Sequence, residues 1–412
     1  MESLYFPRTE NDSLSFRGKQ LLSGRHKIHP YPAMLHPLLV DYLLEKYINK
    51  PRSTILDPFC GSGVTLLQGV LREHDVIGFD INPIAMLISK VKTSTYDKVT
   101  LYDELEDIKD TVSNSKDVDI PSIRNIDTWY HPKVVLDLGR IRHVLKSKNY
   151  RYKSFFLACL AYVCRHQSYT RNGEFKRYRM PEPKRISSKN EVIPLFLNHS
   201  EIMCEVFTQN KLPSTSIHLH RADVDANLEF DLEVDMILTS PPYGDSGTTV
   251  AYEQYTSFGF EWTNDLTPEF EAERNYYKKS LGNKKNSGNG VSNVEVLSET
   301  IKRIEELDSK RASVVTDFFD GYYRALRNVC KYLKPNGIVC FIVGNRLVKN
   351  QTIPLDQITA SFLTRQGMTF ESIFVRNICN KVMPTRNSPS NLKGVQSSTM
   401  TSEYIVVCRN TT

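Results

Sequence analysis

Apolar residues recur at helical spacing over residues 33–48, AMLHPLLVDYLLEKYI, and the pattern stops before Pro51, so a helix is expected there. The next segment, STILDPFCGSGVTLLQGVL (53–71), reads as a buried strand, a tight glycine loop and a helix. VIGFD (76–80) is a second buried strand, and INPIAMLISKVK opens the following helix. Continuous apolar strands joined by a helix form the βαβ unit of a parallel sheet. Residues 1–24 are polar and irregular, and 97–119 are acid-rich and break the alternation. Residues 133–164 read as helical, with a fully apolar core, FFLACLAYVC. Residues 165–190 are basic and interrupted by Pro181 and Pro183.

Strand patterns return at SIHLHRADV (216–224) and DMILTSPPY (235–243). A Gly/Asn/Ser-rich stretch at 282–293 has the composition of a mobile loop. A helix at 312–333 leads into the strand GIVCFIVG (337–344), and FESIFV and EYIVVC close the chain as two more strands. Two blocks of alternating strand and helix, about 24–96 and 215–412, therefore flank a helical insert. Neither block has enough strands to close a core alone, so one interrupted sheet is expected. The fold class is α/β, a doubly wound, mostly parallel sheet. The segments are 1–96 with the glycine loop, 97–214 as the insert, and 215–412 as the remainder.

Composition changes this picture little. The chain has 412 residues, 40% hydrophobic and 24% charged, which excludes wholesale disorder, collagen and a disulfide miniprotein. Eight Cys show no CxxC pair and no Cys/His array, so no metal site is expected. The N-terminus lacks a basic region followed by an apolar run, and no stretch approaches the roughly 18 apolar residues of a membrane helix. A cytoplasmic protein without membrane attachment is expected. The net charge of +6 permits a polyanionic partner.

The candidate chemistry lies at strand ends. In Asp57-Pro58-Phe59-Cys60-Gly61-Ser62-Gly63 the glycines let a ligand approach the backbone and Phe59 supplies an apolar wall. Leu66 stands where a dinucleotide fold would have its third glycine, and no Gly-Lys-Ser/Thr follows, so the turn suits a nucleoside without phosphates. Asp80 ends the next strand and can accept both ribose hydroxyls, or else cap the helix after it. Asp223 falls at the next strand edge, where a carboxylate can accept from an adenine amine, with Asp225 as its rival. In Thr239-Ser240-Pro241-Pro242-Tyr243 two prolines stiffen the backbone and remove its donors. The Ser240 hydroxyl and the backbone carbonyls can then accept from an exocyclic NH2, with Tyr243 as a stacking face for the ring.

DPFCGSG with FDINP, followed by TSPPY, resembles the amino-methyltransferases of bacterial restriction–modification systems. The resemblance implies a Rossmann-like class I methyltransferase sheet, S-adenosyl-L-methionine as cofactor, double-stranded DNA as partner and a cognate restriction endonuclease encoded nearby. Asp57, Phe59, Gly61 and Gly63 match the family's cofactor loop. Asp80 and Ile81 match its ribose-binding edge, and Asp223 its adenine contact. Ser240, Pro241, Pro242 and Tyr243 match the catalytic motif. His29-Pro30-Tyr31-Pro32-Ala33 resembles the segment that packs on the methionine end, which brings in Pro32. KPNGIVCFIVG resembles the late strand behind the target pocket. The resemblance implies methyl transfer to the N4 amine of cytosine, because Ser opens the motif; N6-adenine relatives more often carry an acid or Asn there.

Two features depart from the family. In many members with a Ser-Pro-Pro motif that motif precedes the cofactor loop, and here it follows. The insert matches no family motif. Within 151–190 it nevertheless holds ten Lys and Arg against two Glu, a local +8, with Tyr169 and Tyr178 interleaved. Arg171, Lys176, Arg177, Arg179 and Arg185 are the candidate DNA contacts. Residues 244–312, read as a loop that closes over DNA, carry a Thr- and aromatic-rich tract suited to the target pocket. An N6-adenine DNA methyltransferase is the first alternative, with an RNA base methyltransferase or a catalytically silent DNA-binding relative as the second. A cytosine-C5 enzyme is a weaker reading, since its Cys nucleophile usually follows a Pro and none of the eight Cys does.

Overall fold

The computed structural model describes residues 5–411 except 189, 227, 246–248, 283–293, 379–385, 388–396 and 399–400. The N-terminal stretch that looked irregular supplies a short strand, β1 (Arg8–Glu10). Then follow α1 (Pro37–Tyr47), β2 (Thr54–Asp57), α2 (Val64–Leu71), β3 (Asp75–Asp80) and α3 (Pro83–Thr93). The insert is mainly helical, with α4 (Lys98–Asn114), α5 (Pro132–Ser147), α6 (Lys153–His166) and α7 (Val192–Gln209) as its long elements. The chain returns to the sheet with β4 (Ile217–Arg221) and β5 (Val234–Thr239). After these come α8 (Tyr252–Thr263), α9 (Glu295–Leu307), α10 (Ser309–Cys330), β6 (Leu333–Val343), α11 (Leu355–Thr364), β7 (Met368–Asn377) and β8 (Ser402–Asn410).

The sheet has eight strands in the order β1-β7-β8-β6-β5-β2-β3-β4. Every neighbouring pair is parallel except those of β8, which runs antiparallel to both β6 and β7. The interrupted sheet is thus one sheet, of the class I methyltransferase, Rossmann-like type. Its central strands read as unbroken apolar runs because both faces are covered. Leu56, Ile237, Val339, Phe341 and Val406 point to the face under α10 and α11. Ile55, Met236, Leu238, Ile338, Cys340 and Ile405 point to the face under α1 and α2. Successive side chains of one strand thereby feed two cores.

The insert builds a third core but does not stand alone. Its buried residues, among them Phe155, Phe156 and Phe196, share one cluster with Ile84, Leu87 and Val91 of α3 and with Phe258 and Trp262 of α8. The core of the insert thus runs on into α3 and α8. Most of the acid-rich 97–119 stretch is the amphipathic helix α4, which buries Leu101, Leu105, Ile108 and Val112. The segment 244–312 is not one loop: α8, α9 and the start of α10 occupy it. Of the stretch expected to be mobile, 283–293 lies outside the described residues.

Candidate functional site

Parallel strands deliver their C-terminal ends to one edge of the sheet, so β2, β3, β4 and β5 each present a polar residue there. Asp57 ends β2, Asp80 ends β3, Asp223 follows β4 and Ser240 follows β5. All four line one cavity, together with Pro32, Phe59, Gly61, Ile81 and Pro242. Its far wall is aromatic: Tyr31, Tyr252, Tyr276 and Tyr277. Four carboxylates line it, those of Asp57, Asp80, Asp223 and Glu253, and among the described residues no Lys, Arg or His does. Such a wall suits a cationic ligand and repels phosphate.

The glycine loop is built from its own hydrogen bonds. The Cys60 amide donates to the Phe79 carbonyl at 3.0 Å, which ties the loop to β3. Gly63 caps α2 at φ 74°, and a Cβ there would lie 2.7 Å from Ser89 Oγ and 3.1 Å from Ser89 Cα. Only glycine fits that position without shifting α3. Gly61 donates its amide to Asp80 Oδ2 at 2.9 Å, and Asn82 donates to Asp80 Oδ1 at 2.8 Å. Helix α3 is capped by the Asn82 side chain, which accepts from Ile84 and Ala85, so Asp80 is not the cap. Across the loop, Asp57 Oδ1 accepts from the Thr239 hydroxyl at 2.6 Å and the Phe59 amide at 3.1 Å, joining β2 to β5. Burial pushes both Asp57 and Asp80 up to about 6, against the pull of these donors. Ala33, after Pro32, holds φ 52°, a left-handed conformation at the cavity wall where strain is commonly stored.

Asp223 and Asp225 part company. Asp223 lines the cavity, whereas Asp225 is buried in a two-point ion pair with Arg324 at 2.7 and 3.1 Å. At the β5 edge, Ser240 and Pro242 line the cavity while Pro241 is buried behind them. Tyr243 is not on the cavity wall. Its ring packs against the core beneath α10, and its hydroxyl sits 3.1 Å from Ser240 Oγ and 3.2 Å from Glu403 Oε1. Burial, and after it Glu403, pushes its phenol well above the usual range.

No family model matches the chain. Among curated proteins it is 32% identical to type II methyltransferase M.MvaI of Kocuria varians, over 97% of this chain and 94% of that protein. The chain belongs to the type II DNA methyltransferases. A 96-residue stretch, 22% of the chain, is 41% identical to type II methyltransferase M.MjaII of Methanocaldococcus jannaschii and covers 18% of it. Half of the chain is 26% identical to type II methyltransferase M.BsoBI of Geobacillus stearothermophilus, over 46% of that protein. This is an S-adenosylmethionine-dependent DNA methyltransferase, and the carboxylate-lined cavity fits that cofactor, a sulfonium without phosphates.

The methyltransferase's basic insert divides sharply. Arg177 is spent internally: it pairs with Glu261 at 3.0 and 3.3 Å and lies over the rings of Trp129 and Phe258 at 4.5 and 4.0 Å. Arg177, expected among the DNA contacts, has its charge matched by Glu261 instead of standing open to solvent. Arg165 is also buried, donating to the carbonyls of Glu174 and Tyr255. Together they pin residues 169–180 against α8, whose first turn lines the cavity. The loop is a narrow hairpin, with Arg171 donating to the Tyr178 carbonyl and Met180 to that of Tyr169. Arg171 and Arg179 are exposed on it, Lys176 is half-buried, and Arg185 is half-buried against Tyr169.

Sequence reasoning missed Glu253, Tyr276 and Tyr277 as wall residues, and Glu403 and Arg376 behind the motif. Tyr252 and Glu253 lie in the Thr- and aromatic-rich tract that was singled out, and its helical stripe (255, 258, 259, 262) was the available signal. Glu403 had none, being 160 residues from Tyr243 in a strand-like run. Among the described residues no group of His, Cys, Asp or Glu could hold a metal ion, and no helix is long and apolar enough to cross a membrane.

Proposed function

We propose that this methyltransferase is the cytoplasmic modification partner of a restriction endonuclease and methylates the N4 amine of cytosine at a specific site in duplex DNA. The observation that carries this reading is that Ser240 and Pro242 stand on the wall of the same cavity as Asp80 and Asp223. A target amine at Ser240 then faces the ligand whose ribose Asp80 holds. Asp80 accepts the ribose hydroxyls, Asp223 accepts from the adenine amine, and Phe59 and Ile81 flank the rings. The bound cofactor supplies an electrophilic methyl on a sulfonium. The chain's own work is positioning: the base leaves the duplex, because its amine cannot be reached inside the stack, and Ser240 orients that amine. Ser at the head of the motif supports cytosine over adenine, where relatives more often carry an acid or Asn.

The test is expression in a host lacking DNA methylation. Genomic DNA is then hydrolysed to nucleosides for mass spectrometry, and the intact DNA is sequenced for the modified position. N4-methylcytosine at one recurring motif is the expected result. N6-methyladenine there would overturn the choice of base.

A further inference from the structure

From Ser240 on the cavity wall a chain of polar side chains runs back into the protein, through Tyr243, Glu403 and Arg376, none of which lines the cavity. Ser240 Oγ lies 3.1 Å from Tyr243 Oη, which lies 3.2 Å from Glu403 Oε1. The other carboxylate oxygen of Glu403 accepts from Arg376 Nε at 2.9 Å and Nη2 at 2.5 Å. Arg376 also donates Nη1 to the Leu14 carbonyl at 3.1 Å. Glu403 and Arg376 face each other across β8 and β7, and both side chains are nearly buried. We propose that Glu403 is a positioning residue that fixes the direction of this chain, so that Ser240 offers the target amine lone pairs and no proton. The proposal rests on Ser240 being the acceptor for that amine.

The direction follows from counting protons. A carboxylate paired with a guanidinium only accepts, so the Tyr243 hydroxyl donates its single O–H to Glu403. Tyr243 then has nothing to donate to Ser240, and the contact between them forms only if Ser240 donates to the phenol oxygen. The serine proton is thereby turned away from the cavity, and both Oγ lone pairs remain for substrate. An exocyclic amine bound there must donate to Ser240, which draws on its N–H bond and leaves its own lone pair directed at the methyl. Without the carboxylate the chain can reverse. Tyr243 then donates to Ser240, whose proton turns into the cavity against the hydrogens of the amine.

Glu403→Gln imposes that reversal. Arg376 presents only donors, so the amide oxygen must face the guanidinium and the NH2 must face Tyr243. The phenol oxygen then accepts a hydrogen bond from the amide NH2, and the phenol O–H donates to Ser240 Oγ. Tyr243→Phe cuts the chain and frees the serine hydroxyl to rotate. The two substitutions therefore interact with a distinctive sign: the Phe change should rescue the Gln variant. A purely structural Glu403–Arg376 pair gives no rescue.

The experiment measures single-turnover methyl transfer from labelled S-adenosylmethionine to DNA by full-length protein, with cofactor affinity and melting temperature as controls. Glu403→Gln should slow transfer about tenfold to a hundredfold, the range of one misdirected hydrogen bond to a reacting group, while cofactor affinity holds. Glu403→Asp should recover most of that loss. The double variant should run as fast as Tyr243→Phe alone and faster than Glu403→Gln alone. Wild-type rate in Glu403→Gln, or a double variant slower than both singles, would overturn the proposal. Absence of transfer by the wild type to any DNA would instead overturn the proposed function on which it rests.

Discussion

The cofactor cavity and the basic insert both bury charge, and they treat it in opposite ways. In the cavity, Asp57 and Asp80 accept only from amides and a hydroxyl, with no ion pair among the described residues. In the insert the buried cations are matched or capped. Arg142 lies between Asp119 and Asp265 at 2.8 and 2.6 Å, Arg177 pairs with Glu261, and Arg165 is capped by two carbonyls. Unmatched buried charge costs folding energy and survives where a ligand completes it; matched buried charge holds helices in register. A count of Lys and Arg along the sequence cannot separate the two cases, because it is blind to which side chains face inward.

The sharpest way to break the comparison is at the motif itself. On the proposed reading Ser240 acts only when the amine is present, so Ser240→Ala should lower kcat about a hundredfold and leave cofactor affinity nearly unchanged. Single-turnover rates beside calorimetric cofactor titrations give the split. Equal losses in both would place Ser240 in the cofactor's own binding wall.

Asp80 tests the acidic side. On the proposed reading, Asp80→Ala removes a charged acceptor of two ribose hydroxyls and should weaken cofactor binding by about 1–3 kcal/mol, roughly ten- to hundredfold. The wild type should show the same dependence through pH. Burial raises Asp80 to about 6, and if its ionised form holds the ribose, affinity should fall by up to about tenfold per unit as the pH drops below that point. For the free protein the sign is opposite. The folded-state values of Asp57 and Asp80 are raised from 3.8 to about 6, so their contribution to stability is fully present below pH 3.8 and is lost as the pH rises through 6. Cofactor affinity independent of pH between 5 and 7 would remove Asp80 from the ribose.

What the sequence made legible follows the same division. Strands β2, β3, β5 and β6 are continuous apolar runs because helices cover both faces, so their ends, and the acids and motif on those ends, could be read directly. Strand β1 is Arg-Thr-Glu, exposed at all three positions, and pairs only at the sheet edge; nothing in its composition marks it. Helix α8 was hidden by residues that favour strands. Its packing shows why it is helical: Tyr255, Phe258, Gly259 and Trp262 form one stripe, and a Cβ on Gly259 would lie 2.8 Å from that of Ala161 in α6. Glu403 was unreadable for another reason, since it meets the motif only through the pairing of β8 with β6 and β7.

The smallest expected effect separates the two kinds of arginine. Arg171 and Arg179 stand exposed on the hairpin that Arg165 and Arg177 pin beside the cavity. If DNA lies across that hairpin, replacing both with Ala removes two phosphate contacts, and the slope of log affinity against log salt should fall by about 1.8. Between 50 and 200 mM salt that is an affinity difference of roughly tenfold. Arg177→Ala should leave that slope unchanged, because its charge is matched by Glu261 and shielded by two rings. Its loss belongs to stability, about 1–3 kcal/mol for a partly buried ion pair left with a lone carboxylate, and appears as a lower melting temperature. Filter-binding titrations at four salt concentrations, run on both variants, resolve the two outcomes. A reduced slope in Arg177→Ala with wild-type slope in the double variant would exchange the roles, making the buried arginine the reader and the exposed pair ordinary surface.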